Sequence, residues 1–178
     1  GAGVEEWIND QTAQLDKVRE LLKNPKDVVK GVENLLEENN SLKAKLDAIL
    51  IDKARHVKST LLTKVSNVNG VNMIVEQIEL PSADLIKNIS FDLKNQLADL
   101  FLLLGAEIEG KPHLSLIISE SLIESKSMDA TKIIRTLAKE IQGGGGGQPF
   151  YATAGGKQID GLKKALENGN LLISQLAN

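Results

Sequence analysis

The sequence predicts an α+β protein of the α/β type in two parts. An N-terminal antiparallel helical hairpin forms a coiled-coil stalk, and a small globular domain follows in the order β-β-α-β-β-α-loop-α. Three observations carry this prediction. An apolar seam with coiled-coil spacing runs from Val28 to Ile49, the apolar period changes at Thr63, and the stretch GGGGGQPFYATAGG, Gly143 to Gly156, lies between two helical patterns. The expected boundaries are 1–62 for the stalk and 63–178 for the globular domain.

Val4, Ile8, Leu15, Val18 and Leu22 mark a first amphipathic helix, which Asn24-Pro25 ends because proline lacks the N–H that a continuing helix needs. In the second helix Val28, Val32, Leu35, Asn39, Leu42, Leu46 and Ile49 follow alternating steps of four and three, the 3.5-residue period of a coiled-coil seam. Asn39 falls at an a position between leucines at d. There it either fixes register or partner number as a buried polar residue, or sits on a wetter flank. The second helix outruns the first, so its distal seam is expected to be exposed unless another chain or domain packs there.

From Thr63 the segment TKVSNVNGVNMIVEQIEL holds Asn69-Gly70, a strong hairpin signal, between Val65, Val68, Val71, Met73 and Val75. Pro81-Ser82 stops the strand, and Ser82 or Asp84 caps a helix with Leu85, Ile86, Ile89, Leu93 and Leu97 on one face. LADLFLLLGAEIEGKPHLSLIIS reads as two strands turning at Glu109-Gly110-Lys111. Asp129 begins a helix with Ile133, Ile134, Leu137 and Ile141 inward; the glycine stretch and a last helix over Ile159 to Leu176 complete the order.

Composition limits the function classes. A hydrophobic fraction of 42% and a charged fraction of 25% in 178 residues are those of a chain that builds a core. Cysteine is absent, which removes disulfides, thiolate nucleophiles and cysteine metal clusters. No apolar run reaches the roughly 18 residues of a membrane span, and the first residues lack a signal-peptide pattern, so a cytoplasmic location without membrane partners is expected. The start at Gly1-Ala2-Gly3 without methionine is that expected of a fragment or of added residues. A net charge of −3 gives no global attraction to nucleic acid, so any such binding needs a local patch.

Catalysis finds little support. His56 and His113, the only histidines, are too far apart in sequence for a local metal motif, and no Ser/His/Asp arrangement has recognisable spacing. Glu107 and Glu109 alternate on a strand beside a turn, as on a solvated face. No catalytic residue, metal site or cofactor is expected.

The glycine stretch is the candidate site. Seven of the chain's 15 glycines lie in these fourteen positions, and backbone N–H groups without side chains let a phosphate or sugar approach closely. No Gly-Lys-Ser/Thr follows and no Gly-x-Gly-x-x-Gly opens the segment, which argues against a mononucleotide loop of either common kind. Phe150 and Tyr151 either anchor the segment in the core or stack on a base. Lys132, Arg135, Lys139, Lys157, Lys163 and Lys164 against Asp129, Glu140 and Asp160 leave a local charge of +3, and the first three share one helix face. Beside a glycine loop, such a patch fits the backbone of RNA.

The segment AKEIQGGGGGQPFYATAGGKQIDGLKKAL resembles the glycine-rich signature of the DHH-associated domain found at the C-terminus of alanyl-tRNA synthetases. The element order along essentially all 178 residues agrees. The resemblance implies a non-catalytic module that binds the outer corner of tRNA-Ala and supports homodimerisation through the stalk. Aminoacylation and editing, with their ATP and zinc, would then belong to upstream domains of the same chain. Gly143, Gly144, Gly145, Gly146, Gly147, Pro149, Ala152, Gly155 and Gly156 match the signature. Gln148 stands where a basic residue is usual and Phe150 where an acidic one is, which replaces a phosphate contact by an amide and electrostatics by an aromatic face. Two alternatives are the substrate-binding half of a DHH-family phosphoesterase, against which the coiled-coil seam argues, and a purely structural dimerisation module.

Overall fold

The computed structural model describes residues 1–176, so Ala177 and Asn178, the last two positions of the expected globular domain, lie outside the described residues. The chain divides into two compact units, Gly1–Ile49 and Leu50–Asn178.

The first unit is helical. Helix α1 spans Ala2–Leu21 and helix α2 Val28–Thr63, and the turn between them uses left-handed conformations at Lys23 and Asn24. No residue of α1 is buried. Trp7, Ile8 and Leu15 are exposed, and so is the seam from Val32 onward. Exposure therefore begins close to the turn and is not confined to the distal end, because α1 brings no buried side chain to cover α2.

In the second unit the last turns of α2 bury Ala54 and Leu61. The division between these two units thus falls inside α2. Strands β1 (Ser66–Val68) and β2 (Val71–Ile78) form the first hairpin, with Asn69 and Gly70 at φ 49° and 84°. Both central residues have positive φ, as the tight hairpin turn requires. Helix α3 (Ala83–Gln96) is capped by Ser82, whose hydroxyl accepts from the Leu85 N–H. It crosses to β3 (Leu100–Ile108), which pairs parallel with β2, and a turn at Glu109-Gly110 returns the chain antiparallel in β4 (Lys111–Ile118). Helix α4 (Glu120–Lys126), which the periodicity does not predict, precedes α5 (Ala130–Leu137); the Asp129 carboxylate caps α5 by accepting from the Thr131 and Lys132 N–H groups. Strands β5 (Gly144–Gln148) and β6 (Tyr151–Gly155) and helix α6 (Gly161–Leu176) follow.

Among the described residues the six strands form one mixed sheet in the order β1-β2-β3-β4-β6-β5. Helices cover both faces. Phe101, Leu103, Leu114, Leu116, Ala152 and Ala154 pack under α4, α5 and α6; Leu100, Leu102, Leu104 and Ile117 pack under α3 and the end of α2. This double coverage explains the unbroken apolar run of β3, since alternate side chains enter two different cores.

Candidate nucleic-acid interface

The glycine stretch is not a loop. Gly144 to Gln148 form the edge strand of the sheet and pair with Tyr151 to Gly155. Only Pro149 and Phe150 lie outside the strands at the tip. The Ala130 N–H donates to the Pro149 carbonyl and the Ile118 N–H to the Phe150 carbonyl, each at 2.9 Å, so the tip is tied to α5 and β4. On the side facing β6 the segment satisfies its backbone groups in a ladder, and its other side is a sheet edge.

The glycines divide into two sets. A Cβ on Gly143, Gly145 or Gly147 would collide with β6: with the Gly155, Thr153 and Tyr151 carbonyl oxygens respectively, and at Gly145 also with Ala154 Cβ at 2.6 Å. Gly156 and Gly161 meet the carbonyls of Ile141 and Glu140 in the same way. A Cβ on Gly144 or Gly155 would meet nothing within 4 Å, and one on Gly146 only Arg135 Nη2 at 3.8 Å. The first set is needed for close backbone packing. The second leaves a strip of backbone bare to solvent.

One cation lies directly on this strip. Arg135 Nε donates to the Gly145 carbonyl at 3.3 Å, which fixes the guanidinium along the edge strand. Lys132 and Lys139 are exposed on α5 and the turn after it. Lys157 and Lys163 are exposed too, and none of these four lysines makes an ion pair among the described residues. Lys164 differs: its ammonium lies 2.9 Å from the Glu140 carboxylate, which compensates its charge.

The aromatic pair is anchored. Phe150 meets Phe91 of α3 edge to face at 6.4 Å, and Tyr151 lies 5.3 Å from the same ring. Lys94 sits over Phe91 and Phe150, and Lys87 over Tyr151. The anchoring role is thus occupied, and what remains exposed of these half-buried rings lies beside two lysines. Burial raises the Tyr151 phenol above its ordinary range, and the Ser115 hydroxyl 3.5 Å away partly offsets this. The Lys94 hydrogen bond at 2.6 Å holds the Glu120 carboxyl below the usual carboxylate range.

His113, Gly155 and Gly144 stand side by side across β4, β6 and β5. Burial lowers the pKa of His113, so its imidazole is kept neutral, and its Nε2 has no hydrogen-bond partner. Sequence reasoning weighed His113 only for metal binding and catalysis and Lys111 only as a turn residue, and it did not single out Phe91, Lys87 or Lys94. The alternation of β4 was a usable signal for His113, but its neighbours come from pairing with a strand that lies far along the chain. Among the described residues no cluster of three metal-ligating side chains occurs, and no helix is long and apolar enough to cross a membrane.

Comparison with known proteins places this geometry. The model of the DHHA1 domain family matches residues 70–175. An alanine–tRNA ligase of Cytophaga hutchinsonii is 43% identical over 169 residues, which covers 95% of this chain and 19% of that protein. One of Christiangramia forsetii is 44% identical over 173 residues, 97% of this chain and 20% of that protein. The chain therefore spans about a fifth of the length of the curated relatives it matches. Among solved structures, the C-Ala domain from the Aquifex aeolicus alanyl-tRNA synthetase aligns with a TM-score of 0.56 at 21% identity, over 62% of this chain and 97% of that one. At that identity the likeness concerns the fold.

Proposed function

Because the chain belongs to the DHHA1 domain family, with alanine–tRNA ligases as its relatives, we propose that it is the tRNA-binding and dimerisation module of an alanine–tRNA ligase. In this reading it is non-catalytic and holds the outer corner of tRNA-Ala, while upstream domains of the same chain carry out aminoacylation and editing.

The observation that carries the reading is the bare strip of Gly144, Gly146 and Gly155 beside Arg135, with Lys111 and Lys157 lining the same cleft as Gly144 and Gly155. Phosphate and sugar contacts need close backbone approach and positive charge, not a catalytic group. The outer corner of tRNA offers stacked loop bases and nearby phosphates, which suit recognition by shape. Such a contact is modest alone; linked to a catalytic domain it acts by raising the effective concentration of the same tRNA. The exposed seam supports pairing of two chains, since Leu35, Leu42, Leu46 and Ile49 are all more than half exposed in one copy.

Filter retention of tRNA-Ala transcript at several salt concentrations tests the RNA reading. Wild type is expected to bind with a clear salt slope. Lys132→Glu/Lys139→Glu, placed on exposed lysines without ion pairs, should weaken binding about tenfold and reduce the slope by about 1 to 2. Absence of binding by the wild type at low salt overturns the reading.

A further inference from the structure

The bare glycines also form one wall of a cleft of about 770 Å³. That lies within the range of roughly 300–1,000 Å³ in which small-molecule sites fall. Its ionisable lining is Lys111, His113 and Lys157, all basic, with no carboxylate. Neither lysine makes an ion pair among the described residues. Pro112 adds an apolar surface, and the Gly156 N–H donates to the Pro112 carbonyl at 3.1 Å, which holds the two walls together. The missing side chains at Gly144 and Gly155 keep the floor open. A Cβ there would project into empty space, so packing inside the protein does not account for glycine at either position. The His113 ring lines the cleft beside Gly155 and so senses what occupies it.

We propose that this cleft holds one unpaired nucleotide of the bound RNA, with its phosphate on Lys111 and Lys157 and its sugar and base over the backbone of Gly144 and Gly155. The proposal rests on the RNA-binding reading and narrows it to a subsite. A flat base needs a surface without Cβ atoms, and a phosphate needs cations without competing carboxylates. The arrangement favours no particular base, because the recognising groups are backbone and two point charges.

The chain's two histidines make the test direct. Titration with 5′-AMP, GMP, CMP and UMP is followed by NMR at the His113 ring protons, with His56 as the internal control. Wild type should show saturable shifts at His113 and none at His56. Gly155→Ala and, separately, Lys111→Gln/Lys157→Gln should reduce mononucleotide and tRNA affinity at least fivefold, with the melting temperature of Gly155→Ala unchanged. If tRNA binds but the mononucleotides leave His113 unmoved and Gly155→Ala binds tRNA as wild type does, the cleft proposal is overturned and the RNA reading stands. If tRNA does not bind the wild type at all, both fall together.

Discussion

At the scale of single residues, the run of five glycines separates into alternating jobs. Gly143, Gly145 and Gly147 approach β6 so closely that a methyl group would strike its backbone, whereas Gly144 and Gly146 face outward. Backbone cannot yield as the end of a flexible side chain can, so the first set tolerates no substitution. The second set tolerates alanine, which also restricts the unfolded chain and contributes up to about 1 kcal/mol of stability. Gly145→Ala is therefore expected to lower the melting temperature by several degrees. Gly144→Ala and Gly155→Ala should leave it unchanged or slightly raised. Thermal unfolding followed by circular dichroism reads this difference, and equal destabilisation by all three would contradict the division. The sequence displayed the glycines but not their division, since strand alternation is normally read from side chains and these residues have none.

Elements were legible where local chemistry forced them. Asn69-Gly70 and Glu109-Gly110 take up positive φ at the two predicted turns, and Ser82 and Asp129 cap the helices that they precede. Strand β5 escaped because glycine disfavours strands by propensity and offers no side-chain alternation to read; it is held here by hairpin pairing with β6, which follows directly after Pro149 and Phe150. Helix α4 escaped because its seven residues bury only Leu122, too little to produce a period. Helix α2 leaves Val32, Leu35, Leu42, Leu46 and Ile49 of the expected seam exposed, and this exposure along one copy sets an expectation at this scale. Leu35→Lys/Leu42→Lys should shift the chain from dimer to monomer in sedimentation velocity without changing its helix content. A wild type that sediments as a monomer at high concentration would remove the dimerisation half of the proposed function.

For the whole molecule, charge distribution decides more than net charge. The chain carries −3, yet the glycine edge, α5 and the cleft gather cations that acids do not compensate. The layered architecture was foreseeable from the order of strands and helices, but the meeting of β4 with β6, which assembles His113, Gly155 and Gly144, depends on non-local pairing that no local pattern encodes. Recognition by this surface is electrostatic and shape-based, so it should weaken with salt and discriminate little among tRNAs. The most direct measurement of the central claim is the affinity of Gly144→Ala/Gly146→Ala for tRNA-Ala transcript, read beside its melting curve. The predicted result is an intact fold with binding weakened about tenfold, because two methyl groups stand where RNA backbone must approach. An intact fold with wild-type affinity would show that the bare strip does not touch RNA.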